Sequence, residues 1–261
     1  MSDGIRLGIG TFTRYPVAPP AVVGHGPARV AVLSAPLWGL LAALPGAAAA
    51  VLLWWGASGA GKASPLTALL AGLVALAGCA WFTRGLHLDG LADLADGLGS
   101  RRGRDHSLEV MREPGVGAFG VIALVLVLGL QAAALGAAFS QGQGVIALAG
   151  AVVLSRAALG FLTTRGTPAR DDGLGAGVVG VTSLTSAGLV FAGYALLFTG
   201  LVAALGGPWL VSVAAMLVGL ASALAVRQLA VRRLGVVTGD VLGAAVELAT
   251  TGVLVTWAVL G

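Results

Sequence analysis

Three aspartates, Asp89, Asp93 and Asp96, stand within Arg84-Gly-Leu-His-Leu-Asp-Gly-Leu-Ala-Asp-Leu-Ala-Asp-Gly97, in a chain with only 11 acidic residues among 261. On a helix advancing about 100° per residue, Asp93 falls about 40° to one side of Asp89 and Asp96 about 20° to the other. The three carboxylates therefore share one narrow stripe, flanked by Gly90 and Gly97, with Leu91, Leu94 and Leu98 near the opposite side. Crowded carboxylates raise one another's pKa unless a cation joins them. Hard oxygen ligands beside small residues suit Mg²⁺, which keeps several waters and bridges carboxylates to phosphate. The stripe is thus expected to be a catalytic Mg²⁺ site with Asp89, Asp93 and Asp96 as ligands. The competing reading is the solvated face of an interfacial helix, but such helices favour Lys and Arg against an anionic leaflet. His87 lies toward the leucine side, away from the carboxylates, where the roles of structural hydrogen-bonder and ligand are equally open.

A second constellation is Thr238-Gly-Asp-Val-Leu-Gly-Ala-Ala-Val-Glu-Leu248. Asp240 and Glu247 are seven residues apart and share a helix face, with Gly243 as a small step between them. Glu247 sits about two turns into an apolar run, where an ionisable group is costly and usually functional. Its alternative is pairing with Arg156, the other intramembrane charge, and Asp240 has the alternative of a helix cap. A buried guanidinium needs a partner, and Arg156 suits phosphate as well as it suits Glu247. Of the loop arginines, Arg101, Arg102 and Arg104 read as topology determinants. Arg112 and Arg170, each followed by a glycine-rich turn, are the candidate anion contacts. Gly56-Ala-Ser-Gly-Ala-Gly-Lys62 has neither the spacing nor the strand of a phosphate loop.

The elements that must position these groups are membrane helices. The chain is 57% hydrophobic and 10% charged, with mean hydropathy +0.97; a soluble domain carries roughly 25% charged residues. The excess of basic residues, a net charge of +4, reads as a positive-inside bias and not as a nucleic-acid surface. One cysteine, Cys79, excludes a disulfide framework and a thiolate metal cluster. No signal peptide is expected, because arginines and prolines interrupt every apolar run before Val30. Apolar runs long enough to span predict helices near 30–55, 65–83, 116–139, 144–163, 184–206, 208–226 and 239–260. Pro36 and Pro45 can kink or split the first. With residues 1–29 placed in the cytoplasm, that side collects Arg6, Arg14, Arg29, Arg84, Arg101, Arg102, Arg104, Arg112, Arg165, Arg170, Arg227, Arg232 and Arg233. The outer side keeps only Lys62. The expectation is an all-α, polytopic helical bundle of about seven transmembrane helices plus an amphipathic acidic helix at the cytoplasmic face. It forms one membrane-embedded catalytic domain over residues 1–261.

Gly85-Leu-His-Leu-Asp-Gly-Leu-Ala-Asp-Leu-Ala-Asp-Gly97 closely resembles the signature of the cobalamin synthase family, the adenosylcobinamide-GDP ribazoletransferases. Weaker echoes follow in family order: Phe12-Thr-Arg-Tyr-Pro-Val17, Glu109-Val-Met-Arg112 into Gly117-Ala-Phe-Gly120, Ser155-Arg156, Asp172-Gly-Leu-Gly175, and Thr238-Gly-Asp240 through Leu248. The resemblance implies a multi-pass, Mg²⁺-dependent transferase of phosphorus-containing groups in the bacterial cell (inner) membrane, working at its cytoplasmic side. It would join adenosylcobinamide-GDP to α-ribazole or its 5′-phosphate, releasing GMP in the last step of nucleotide-loop assembly. Asp89, Asp93, Asp96 and Glu247 would then be catalytic, and His87, Arg112, Arg156, Arg170 and Asp240 would bind substrate. No nucleic acid is implied, and whether copies associate into a homo-oligomer is not written in the sequence. The chain departs from the family in having Glu113-Pro-Gly115 where an Asp-Ser-Arg type segment is common, and Arg84-Gly85 where Gly-Gly is usual. Two other readings compete. A CDP-alcohol phosphotransferase would want an Ala-Arg pair where Ala92-Asp93 stands. A cation-coupled transporter would want discontinuous helices and a repeat pair.

Overall fold

The structure is a computed structural model that describes residues 1–100, 103–164 and 174–261. Among the described residues every regular element except an isolated bridge at Val237 is helical. The chain opens with α1 (Asp3–Phe12) and α2 (His25–Leu33), followed by α3 (Ala35–Gly59) and α4 (Pro65–Phe82). The acidic stretch forms α5 (Leu86–Gly99), and α6 (Arg104–Val110) leads to α7 (Ala118–Ser140). Next are α8 (Gly144–Ala157), α9 (Leu159–Leu162) and α10 (Leu174–Val178), then α11 (Leu184–Ala204), α12 (Trp209–Leu234) and α13 (Gly239–Leu260).

Seven of these segments are long and apolar enough to cross a bilayer: α3, α4, α7, α8 with α9, α11, α12 and α13. They are the seven runs expected from hydropathy, with shifted ends. The first span begins at Ala35 and not near 30, because Pro36 in its first turn starts a new helix after the break at Ser34. Pro45 remains inside α3. The sixth span runs on to Leu234, so Arg227, Arg232 and Arg233 sit on the helix itself, which stops at the left-handed Gly235. Residues 1–33, ahead of the first span, contain two short helices that the search for spans did not reach. In α1 Gly4, Gly8 and Phe12 are the buried positions, a four-residue spacing that places one face inward. Side-chain caps fix the entry to three of the spans: Ser64 with Thr67 before α4, Ser183 with Ser186 before α11, and Thr238 before α13.

Burial separates the centre from the rim. In the most apolar stretch of the fourth span 78% of residues are buried, and in that of α13 72%, against 28–33% in the other five. α13 is the axle: it packs against α12, α5, α8 and α7. Around it the helices approach through glycine, as apolar helices do where no hydrophobic difference between lipid and protein drives them together. A Cβ on Gly46 of α3 would lie 2.6 Å from the Ala75 carbonyl oxygen and 2.9 Å from Gly78 Cα on α4. One on Gly72 of α4 would lie 2.7 Å from the Ala132 carbonyl oxygen on α7.

Those neighbours are backbone atoms and cannot swing aside. Gly46→Ala should therefore destabilise the detergent-solubilised protein by about 1–3 kcal/mol, read as a lower Tm. Gly129→Ala, at a position with nothing within 4 Å, should leave Tm unchanged or raise it slightly.

Candidate active site

The acidic helix is launched by a corner of two successive left-handed residues, Arg84 (φ 58°) and Gly85 (φ 68°). Glycine adopts this conformation freely, whereas arginine pays a steric penalty. Here Arg84 is anchored, since its guanidinium donates to the carbonyl oxygens of Gly10 at 2.7 Å and Thr11 at 3.2 Å, at the end of α1. Arg14 closes the same joint by donating its N–H to the Phe82 carbonyl at 2.8 Å and stacking its guanidinium over Trp81, 4.1 Å from the ring centre.

From this corner α5 lies against α13 with no side chain between the backbones. A Cβ on Gly90 would be 2.8 Å from Asp240 Cα, and one on Gly243 would be 3.1 Å from the His87 carbonyl oxygen. This contact brings Asp240, in the first turn of α13, to the acidic stripe. Asp240 is not the cap of its helix; Thr238 is, accepting from the Val241 N–H at 3.2 Å. Asp89 is exposed, Asp93 and Asp240 are half-buried and Asp96 is buried. Burial first, and then the charges of Asp89, Asp240 and Asp96, push the Asp93 carboxyl up to about 6. Four carboxylates from two helices thus act on one another electrostatically.

Their partners differ. Asp96 turns toward α7, where its two carboxylate oxygens accept the Gly117 N–H at 2.7 Å and the Gly120 N–H at 2.9 Å. Asp93 and Asp96 line a cleft of about 470 Å³ whose far wall is residues 113–119, with Ser100 and Val110 between. Arg112 is exposed at the start of that wall. Arg101, Arg102, Arg165, Arg170 and Asp172 lie outside the described residues.

His87, Arg156 and Glu247 do not join the cleft; they are buried on the inner side of α5. Arg156 donates to His87 Nδ1 at 3.4 Å, to Ser155 Oγ at 3.2 Å and to the Val152 carbonyl at 3.4 Å. Among the described residues Arg156 Nε and His87 Nε2 are buried without a hydrogen-bond partner. Burial, and then the neighbouring Arg156 cation, hold His87 well below the usual histidine range, so it is a neutral imidazole, stacked against Phe12. Among the described residues Arg156 and Glu247 form no ion pair within 4.0 Å. Glu247 Oε2 instead accepts from Gln131 Nε2 at 3.0 Å, and the same amide reaches Thr251 Oγ1 at 3.1 Å. Gln131 was not picked out from the sequence. Its signal was there, as the single polar side chain between Ala118 and Phe139.

Among the described residues no three His, Cys, Asp or Glu side chains stand close enough to hold a metal ion by themselves. Mg²⁺ does not require three, since one or two carboxylates plus waters and substrate phosphates are its usual shell. The donor set fits that ion: carboxylate oxygens from two helices, and an Asp93 carboxyl whose elevation a cation would relieve.

The same elevation has a signed effect on stability. A carboxyl raised in the folded state favours folding while protonated. Its contribution is full below the unfolded value near 4 and is lost as pH rises through about 6. In chelator at pH 7.5, Asp93→Asn should be more thermostable than the parent, by about 1 kcal/mol once solvent screening of a half-exposed group is allowed for. Near pH 4 the difference should close, as a paired Tm series would show.

The model of the Cobalamin-5-phosphate synthase family matches residues 4–258. An adenosylcobinamide-GDP ribazoletransferase of Nocardioides sp. (strain ATCC BAA-499 / JS614) is 42% identical over 261 residues, covering 99% of each chain. Enzymes of the same name from Bradyrhizobium diazoefficiens and Escherichia coli (strain K12 / DH10B) are 38% and 37% identical. The first covers 92% of this chain and 87% of its own, and the second covers 83% of each. No solved structure matches the chain. The near-complete match and the identities above 30% show that this chain belongs to the Cobalamin-5-phosphate synthase family.

Proposed function

We propose that this chain is an adenosylcobinamide-GDP ribazoletransferase: it transfers the adenosylcobinamide phosphate of adenosylcobinamide-GDP to α-ribazole or its 5′-phosphate, releasing GMP. The observation that carries the reading is the meeting of α5 and α13 beside an open cleft, in a chain whose full-length relatives bear that name. A hydroxyl oxygen of the ribazole attacks the phosphorus bonded to cobinamide, the bond from that phosphorus to the bridging oxygen breaks, and GMP departs with that oxygen. The hydroxyl proton is lost in the same step.

Asp89 and Asp93, with Asp240 facing them, would hold Mg²⁺, which when bound neutralises diphosphate charge and orients the reacting oxygens. The proton released from the ribazole hydroxyl passes to water in the open cleft. Arg112, exposed and next in sequence to the cleft-lining Glu113, and Arg170 are the cations offered to phosphate. The neutral His87 and the Arg156 that donates to it from α8 act on the buried face of α5, holding the acidic stripe toward the cleft, while Glu247 is held by Gln131 of α7. The arginine bias of the connections on that side supports a cytoplasmic active site in the bacterial inner membrane.

The test uses the protein in detergent or nanodiscs with both substrates and Mg²⁺, followed by mass spectrometry. GMP and a cobalamin species in equal amounts are expected. Asp93→Ala should lower turnover by about a thousandfold or more, the scale on which catalytic electrostatic groups are missed, with the fold retained. Full activity in that variant, or CMP with a lipid product, would sink the proposal. Cobalamin formation should also fade as pH drops below about 6, where protons compete for Asp93.

A further inference from the structure

Asp96 belongs to the acidic stripe by spacing, yet its surroundings differ from those of Asp89 and Asp93. Both of its oxygens are engaged by backbone donors at the N-terminus of α7, Gly117 N–H at 2.7 Å and Gly120 N–H at 2.9 Å. The donors and the space are matched. A Cβ on Gly117 would lie 2.5 Å from Asp96 Oδ1. One on Gly120 would meet Oδ2 and stand 3.1 Å from the Ala92 carbonyl. Neither glycine has a positive φ, so their smallness serves this close approach and not a turn. The side chain is 9% exposed. A carboxylate with two charge-assisted bonds to a helix N-terminus, in the field of that helix, is already stabilised as an anion. The same end of α5 holds the entry to α6, through Ser100 Oγ donating to the Gly97 carbonyl at 2.9 Å and meeting Ser107 Oγ at 3.3 Å.

We propose that Asp96 is a positioning residue and not a metal ligand: it latches the N-terminus of α7 to α5 and thereby fixes residues 113–117 as the far wall of the substrate cleft. The stripe then divides by function, with Asp89 and Asp93 left for the cation and Asp96 setting the width of the cleft around them. This rests on the metal reading above for Asp89 and Asp93, and on the latch geometry alone for Asp96.

The experiment compares the full chain with Asp96→Asn, Gly120→Ala and Asp93→Asn, using Mn²⁺ as the metal probe by electron paramagnetic resonance, with Tm and steady-state kinetics alongside. In Asp96→Asn an amide NH₂ faces one of the two N–H donors, so Tm should fall by roughly 5 °C. The Mn²⁺ Kd should stay within about twofold, and kcat/KM should fall several-fold through KM for adenosylcobinamide-GDP, the mark of lost substrate binding. Gly120→Ala displaces the carboxylate without removing its charge and should reproduce both the lower Tm and the raised KM, again with the Mn²⁺ Kd within about twofold. Asp93→Asn should weaken Mn²⁺ about tenfold or more, the scale of a lost ligand shell member. A Kd weakened more than about threefold in Asp96→Asn, whatever its Tm, overturns the proposal, as does an unchanged Tm or an unchanged KM. If the parent protein binds no Mn²⁺, the metal reading fails while the latch still stands or falls on Tm and KM.

Discussion

The close approach of α5 and α13 is the constraint on which the site depends. Gly90 and Gly243 let two backbones touch, and that contact alone sets Asp240 beside the stripe on α5. A side chain at Gly90 would meet the Asp240 backbone at 2.8 Å and one at Gly243 the His87 backbone at 3.1 Å, so either would press the two helices apart. The acidic groups are distant in sequence, and what joins them is a missing side chain. The same device recurs at Gly46 with Gly78 and at Gly72 with Gly136. There the contacts fix the bundle, and between α5 and α13 the contact fixes chemistry as well.

Charge is distributed in two layers. On the outer side of α5 the carboxylates stand near water and repel one another; on its inner side a guanidinium, a neutral imidazole and a carboxylate are enclosed among apolar helices. Burying Arg156 with an unsatisfied Nε and, among the described residues, no carboxylate within 4.0 Å costs stability that apolar packing would not. Such an arrangement is retained where it does a task, and its place directly behind the acidic stripe points to shaping of that stripe. Gln131 makes the counterpart for Glu247, so each buried ion has a neutral partner in place of an opposite charge.

Much of this was legible in the sequence. Hydropathy located all seven spans, because a run of about twenty apolar residues has few alternatives. The helical spacing of Asp89, Asp93 and Asp96 placed them on one stripe, and the same period united Asp240 and Glu247. Spacing could not show which way each side chain turns within the stripe. Asp96 departs from its neighbours because α7 begins 22 residues later and offers two N–H groups, a tertiary fact. Asp240 and Glu247 share a face, yet one meets the acidic stripe of α5 and the other Gln131, since the face is longer than the site. α1 and α2 escaped notice because glycines and prolines weaken their helical signal, and their burial comes from packing against each other and against α3.

The corner at Arg84 carries a consequence for how the site is supported. A glycine there would turn the chain without help, whereas arginine in a left-handed conformation needs the carbonyls of Gly10 and Thr11 to hold it. Those acceptors lie about seventy residues earlier in the chain, so the turn into α5 holds only while α1 is seated beside it. Damage to α1, which carries none of the carboxylates of the stripe, would therefore reach the chemistry through its first corner.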